Sequence, residues 1–322
     1  MRKLISIVAP MYNEEKLAHK YCEETLKMSE NLKSNYDVEI ILVNDGSKDS
    51  TYEIMLDEQK KHPDEISTVC LSRNFGLEGA VNAGIRKAAG DAVIVMDADL
   101  QDPPALIPEM IRKWEDGADI VIGSRIKRSN DKFFKKAGAD FYYKVLNMLS
   151  GKIKLEKSAA NFRLLSRKAL NQVLELPEVN SVFRVVVPFI GMKTDIVEYD
   201  RDKRFAGKTK YNLKSMIPYA LDSITGISIE PLRKLKSLIP LDCACFVIAL
   251  VGMIVCHDYW KMLWSTAFVG SIFTGIILVA LAVMAEYIGQ IMIEVKGRPT
   301  SIIYSYIPGK NVEKRRSEDE IC

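Results

Sequence analysis

The chain has 322 residues, a formal net charge of +3 and a 48% hydrophobic composition, enough for one sizeable domain and an appendage. A charge that small gives no reason to expect a nucleic-acid partner. The six cysteines form no Cys-x-x-Cys pair, so neither a zinc site nor a disulfide framework is expected.

From the N-terminus, short apolar runs alternate with helical patterns, and the apolar stretch of MRKLISIVAP is too short for a cleavable signal peptide. Leu4–Ala9, Val38–Asn44, Thr68–Leu71, Ala92–Asp97 and Ile120–Gly123 read as strands. Glu14–Ser29, Thr51–Lys61, Leu77–Ala89 and Ala105–Glu115 read as the helices between and after them. Strands that are apolar without alternation are covered on both faces, which predicts an α/β fold with a mostly parallel sheet. Two of them end in acids: IILVNDGS delivers Asp45, and VIVMDADLQDPP delivers Asp97 and Asp99. Open sheets of this kind bind ligands at the carboxyl ends of their strands. Two hard oxygen ligands there suit Mg²⁺ or Mn²⁺, which grips a diphosphate. Neither G-x-G-x-x-G nor a P-loop motif occurs, so a nucleotide would be held by other means.

Beyond residue 130 the pattern loosens. Phe133–Leu149 reads as a helix, Ala160–Leu165 as a strand, Val182–Ile190 as a helix and Met192–Tyr199 as a strand. Arg201–Tyr211 (RDKRFAGKTKY) follows, and its clustered cations around Gly207 predict a lid that grips phosphate; a solvated loop is the bland alternative. Leu213–Leu235 mixes apolar and polar residues, which suits amphipathic helices at a membrane surface or, as an alternative that does not exclude it, ordinary packing against the catalytic domain.

Leu238–Cys256 and Thr266–Ala285 are apolar all round, the first carrying only Asp242 and the second no charge. Each would span roughly 28–30 Å, the thickness of a bilayer's hydrocarbon core, which predicts two membrane spans rather than buried core helices. Trp260 and Trp264, in the expected link, suit an interface. Lys and Arg flank the outer ends of the pair, while the link offers only Lys261, so both termini are expected in the cytoplasm. The resulting division is a catalytic domain over 1–211, juxtamembrane helices over 212–236, a two-helix hairpin over 237–296 and a cytoplasmic tail over 297–322. Gly309–Cys322 reads as disordered.

The ordered set PMYNE (Pro10–Glu14), VNDGS (Val43–Ser47), LSRNFG (Leu71–Gly76), MDADLQDPP (Met96–Pro104), GSR (Gly123–Arg125), NFRLL (Asn161–Leu165) and RFAGKTKY (Arg204–Tyr211) closely resembles family 2 glycosyltransferases. More narrowly it is similar to the polyprenyl-phosphate glycosyltransferases, the group of bactoprenol glucosyltransferases and dolichol-phosphate mannose synthase. The resemblance runs from about residue 4 to residue 300 and takes in the ending EYIG…EVKGRP, Glu286–Pro299. It implies a GT-A fold, a nucleotide-sugar donor, a polyprenyl (undecaprenyl) phosphate acceptor and a place in the bacterial cytoplasmic membrane. Pro10, Tyr12, Glu14 and Asp45 would hold the nucleobase and ribose, with Arg73 nearby. Asp97 would lie against the sugar and diphosphate, and Asp99 and Gln101 would bind the cation. Arg125, Arg204 and Lys210 would contact phosphates of donor or acceptor. The motifs do not name the donor; UDP-glucose is the expectation over UDP-galactose, UDP-N-acetylhexosamines or GDP-mannose. A homo-tetramer is also implied, with Gly270 and Gly275 offering small-residue packing in the second span.

Asn161 departs from the resemblance, since comparable members carry Asp there. A phosphate acceptor is already largely a dianion at pH 7 and needs little base assistance, so Asn161 is expected to affect sugar orientation or donor choice instead. Two rival readings make different demands on the sequence. A processive polysaccharide synthase would carry a Gln-x-x-Arg-Trp motif, which none of Trp114, Trp260 and Trp264 completes. A catalytically silent membrane scaffold would have no need of Asp97, Asp99 and Gln101.

Overall fold

The structure is a computed structural model that describes residues 2–125, 159–178, 182–200, 225, 230–235, 238–255 and 258–319. The chain divides into two units. The first is an α/β layer fold. It opens with β1 (Lys3–Met11), α1 (Ala18–Glu30), β2 (Tyr36–Asn44), α2 (Thr51–Lys61), β3 (Ile66–Leu71), α3 (Leu77–Lys87) and β4 (Ala92–Val95). A short 3₁₀ turn (Pro104–Leu106) leads into α4 (Ile107–Glu115) and β5 (Ile120–Arg125). Then come β6 (Ala159–Ser166), α5 (Arg167–Glu175), α6 (Phe183–Phe189) and β7 (Thr194–Tyr199).

Along β1 the side chains of Ile5, Ile7, Ala9 and Met11 join one apolar cluster with α1 and α4, while Val8 joins another with α3 and α5. Burial on both faces is why these strands read as continuous apolar runs. Gly84 of α3 sits so close to β1 that a Cβ there would meet Val8 Cγ1 at 2.3 Å.

The sheet has eight strands in the order β7-β5-β6-β4-β1-β2-β3 and a last one beside β3. Pairs β1–β2, β1–β4, β2–β3 and β5–β7 are parallel, and β6 runs antiparallel between β4 and β5. The chain winds outward from β1 to β3, then crosses back to place β4 on the other side of β1. That reversal opens a crevice at the carboxyl ends of β1 and β4, the position where open α/β sheets take ligands. Pairing of β1 with β4 stops at Val8 and Val95, so Pro10–Glu14 and Asp97–Gln101 leave the sheet on either side of the gap.

In the second unit, α7 (Glu230–Lys234) and α8 (Leu238–Val255) precede α9 (Tyr259–Lys296), and α8 packs alongside α9. Among the described residues only α9 is long and apolar enough to cross a membrane by the measure of length and composition. Its 38 residues would reach about 57 Å at 1.5 Å per residue. The expected link is therefore shorter than the sequence implies. Trp260 and Trp264 lie in the first turns of α9, where Asp258 accepts the Trp260 N–H at 3.1 Å as the N-cap. Gly297, at φ +56°, closes the helix in the left-handed conformation that glycine adopts without strain.

The expectation that Gly309–Cys322 is disordered is corrected over its described residues, and the chain just before it forms a strand. Ile303–Ile307 forms β8, antiparallel to β3 at the sheet edge, and Lys310–Asp319 forms α10. Its polar composition misled, because a few contacts anchor it. Val312 is fully buried, Gly309 N donates to Ser67 Oγ at 2.9 Å, Asn311 Nδ2 donates to the Val38 carbonyl, and Arg315 pairs with Asp91 at 2.7 Å. The expected helix over Phe133–Leu149, most of the amphipathic segment over 213–235, and the basic stretch over 201–211 lie outside the described residues.

Candidate active site

On the β1 side of the crevice, Pro10 is buried in the strand and Tyr12 and Glu14 are half-buried in the loop beyond it. That loop is sewn to the one after β2: Asn13 N donates to Ser47 Oγ at 3.0 Å, Lys48 N to Asn13 Oδ1 at 2.8 Å, and Glu14 N to Thr51 Oγ1 at 2.8 Å. Asn13 takes φ +51°, a conformation that asparagine tolerates better than most residues.

Asp45, expected to touch the nucleoside, is buried and engaged with the chain itself. Its Oδ1 accepts from Phe75 N at 2.7 Å and its Oδ2 from Gly76 N at 3.0 Å, which fastens the β3–α3 loop. Burial pushes its carboxyl up to about 6, although both N–H groups and Arg73 favour the charged form. Arg73 is exposed, with its guanidinium 4.0 Å from the centre of the Phe75 ring. Between these parts Gly46 has φ +64°, and a Cβ there would lie 2.4 Å from the Arg73 carbonyl carbon. Gly46→Ala is expected to cost about 2 kcal/mol or more, because the left-handed penalty adds to a backbone clash. A fall in thermal midpoint together with weakened nucleotide binding would show it; an unchanged midpoint would refute it.

On the β4 side, Asp97, Asp99 and Gln101 are half-buried in the loop that peels from the strand. Asp99 Oδ1 accepts the Gln101 N–H at 3.2 Å, and Leu100 between them takes φ +55°. Among the described residues no three His, Cys, Asp or Glu groups cluster as a metal site. A Mg²⁺ site of one or two carboxylates completed by substrate phosphate and water fits that observation, and the oxygen donors of Asp99 and Gln101 have the right chemistry.

The antiparallel pairing of β4 with β6 ends at Val95 and Arg163, two residues short of Asp97 and Asn161. Accordingly Asn161 Nδ2 lies 3.4 Å from Asp97 Oδ1, and Arg184 Nη2 donates to Asn161 Oδ1 at 3.3 Å. Burial first, then the charges of Asp102 and Asp99, push Asp97 up to about 6 against the opposing pull of Asn161 and Arg184.

Arg125 is brought to the same strand ends, but it is already engaged there. Its Nε and Nη2 reach Asp102 Oδ1 at 3.2 and 2.8 Å, and Nη2 reaches Oδ2 at 3.0 Å. Asp102 is fully buried and also accepts from the Tyr199 hydroxyl. Asp102, Tyr199, Arg163 and Arg184 were missed by sequence reading. Asp102 stood inside the MDADLQDPP motif, but nothing local to it names its partners. Arg204 and Lys210 lie outside the described residues.

The family description "Glycosyl transferase family 2" matches residues 6–174. A prophage bactoprenol glucosyl transferase homolog of Escherichia coli (strain K12) is 39% identical over 313 residues, covering 93% of this chain and 98% of that protein. The bactoprenol glucosyl transferase of Shigella phage SfII is 39% identical over 307 residues, 93% and 97% of the two chains. An uncharacterized glycosyltransferase of Bacillus subtilis (strain 168) is 39% identical over 303 residues, 92% of each. Among solved structures, a mannosyltransferase from Pyrobaculum calidifontis, in complex with GDP-Man and Mn²⁺, is 16% identical with a TM-score of 0.44, covering 88% and 87%.

Proposed function

The chain belongs to glycosyltransferase family 2, and from that premise we propose that it transfers a hexose from a nucleotide sugar to a polyprenyl phosphate. The observation that carries the reading is the 39% identity to bactoprenol glucosyl transferases across nearly the whole of both chains. UDP-glucose is the proposed donor and undecaprenyl phosphate the proposed acceptor. Two spans, α8 and α9, would hold the catalytic unit at the cytoplasmic face of the membrane.

In this reading the crevice between β1 and β4 receives the nucleotide, with Pro10, Tyr12 and Glu14 on one wall and the acidic loop on the other. Asp45 contributes by holding the 73–76 loop in place. A divalent cation bound through Asp99 and Gln101 would supply neutralisation of the leaving diphosphate. The acceptor phosphate, with its second pKa about 6, arrives largely as a dianion and needs no strong base. What it needs is to be held in line behind the anomeric carbon, which is the work of Arg125 and, in the basic stretch, Arg204 and Lys210. Direct attack inverts the anomeric centre, giving a β-linked lipid-phosphate sugar from an α-linked donor.

The experiment offers purified protein a panel of radiolabelled nucleotide sugars with undecaprenyl phosphate and Mg²⁺ or Mn²⁺, and counts label in the lipid phase. Label from one donor is expected, falling to background with EDTA and on the order of a thousandfold in Asp99→Ala. Nucleotide binding without lipid label from any donor would refute the proposal and favour a silent scaffold.

A further inference from the structure

Asp102 and Tyr199 tie Arg125 into a knot to which neither the motif reading nor the proposed chemistry gives a role. Asp102 follows β4, Arg125 ends β5 and Tyr199 ends β7, so three strand ends meet on one carboxylate. The parallel register pairs Arg125 with Tyr199, which puts their side chains next to each other. Tyr199 is held from behind: its ring meets Phe162 edge-on at 6.1 Å, and both belong to the same apolar cluster. Gly123 makes the room, since a Cβ there would lie 2.7 Å from Phe162 Cδ1 and 3.2 Å from Tyr199 Cε1. The Gly123-Ser124-Arg125 sequence therefore carries a steric requirement at its first position and a charge at its last.

The carboxylate of Asp102 is fully buried and takes three donors, Arg125 Nε, Arg125 Nη2 and the Tyr199 hydroxyl. Tyr199 Oη is also 3.2 Å from Arg125 Nε. This occupies one edge of the guanidinium. Arg125 keeps about a quarter of its side chain exposed, and its Nη1 makes no hydrogen bond among the described residues. A guanidinium is a planar fork, so fixing one edge fixes where the other can donate.

We propose that Asp102 and Tyr199 are positioning residues that clamp one edge of Arg125 so that its remaining donor is preset for a substrate phosphate. The inference rests on the functional reading above and adds a division of labour to it. Arg125 meets the phosphate, Asp102 holds Arg125, and Tyr199 holds both. Preorganisation of this kind matters because a free arginine side chain loses substantial rotamer freedom when it is fixed on a ligand.

The test compares wild type with Tyr199→Phe, which removes one hydroxyl and keeps the ring packing, and with Asp102→Asn. The measured quantities are the KM for undecaprenyl phosphate, kcat, the Kd for the nucleotide sugar and the thermal midpoint. Tyr199→Phe is expected to weaken the phosphate-bearing substrate that Arg125 meets by about tenfold. A rise in acceptor KM assigns the acceptor phosphate, and a rise in donor Kd assigns the donor diphosphate. A positioning role further requires that adding Tyr199→Phe to Arg125→Ala changes neither value again, whereas a merely structural role would still lower the midpoint and leave both affinities alone. If wild type transfers sugar to the lipid and Tyr199→Phe moves both constants by less than twofold, this inference fails alone. If wild type transfers nothing to any lipid phosphate, the functional reading fails and takes this one with it.

Discussion

Asp97→Asn is expected to lower sugar transfer by about a thousandfold and yet leave the metal-free protein at least as stable as wild type at pH 7.5. The carboxyl of Asp97 is pushed up to about 6 by burial and by the charges of Asp102 and Asp99. An unfolded aspartate titrates at about 3.9. A folded pKa above the unfolded one means that folding favours the protonated form. The stability from that preference is fully present below about pH 4 and is lost as pH rises through about 6. At pH 7.5 the ionised side chain therefore weighs against folding, and asparagine removes the charge while keeping an oxygen that can accept from Asn161. The measurement is lipid-phase label together with thermal midpoints at pH 4.5 and 7.5. The midpoint of the variant relative to wild type should be more favourable at the higher pH. A variant that keeps its activity, or loses stability only at pH 7.5, would contradict the assignment. The same shift places an acidic limb near pH 6 in kcat/KM for the donor, which reports the free enzyme.

Ending the chain at Arg298 is expected to leave the catalytic unit unable to fold stably, although every residue assigned to the site is retained. Removal of β8 strips the antiparallel partner from β3, whose Leu71 and Cys70 pair with Ile303 and Ser305. It also removes the backbone bond from Ser72 N to the Ile302 carbonyl at 2.9 Å, next to the loop that Asp45 fastens. Loss of α10 uncovers the far end of the sheet, where Gly309 N, Ser67 Oγ and Glu39 Oε1 form a hydrogen-bonded chain and Val312 is fully buried. Buried hydrogen bonds at about 1 kcal/mol each and one valine at about 2 kcal/mol sum to a loss on the order of 5 kcal/mol, comparable to the whole stability of many domains. Thermal unfolding and limited proteolysis of the truncated protein would check this. Val312→Asp in the full chain should show a smaller loss of the same kind. A truncated protein that melts within a few degrees of wild type would show that the segment is dispensable.

The central strands were legible because their signal is local. Burial on two faces favours apolar side chains, and β4 and most positions of β1 and β2 carry them without reference to any partner, Ser6 and Glu39 being buried polar exceptions. The acids at the ends of β2 and β4 were legible for a related reason, since a carboxylate directly after such a run marks where the apolar strand stops. β8 was not legible. Its run of five residues, Ile303–Ile307, is short, and the open edge of β3 gives it the partner that makes it a strand. The tail helix was hidden in the same way, because one buried valine and a few long-range bonds outweigh a charged composition.

Within the site, the sequence alone determined which chemistry is present: two acids and a glutamine on one loop, an aspartate after a neighbouring strand, and an Asn161 that departs from the resemblance. Only the tertiary structure decided what those groups face. Asn161 meets Asp97 because β6 runs antiparallel in one register, and Arg125 meets Asp102 because β5 and β7 end beside the β4 loop. The physical reason is range. Periodicity and burial are set by neighbours along the chain, whereas the partner of a polar side chain is set by pairings between strands dozens of residues apart, which no local pattern encodes.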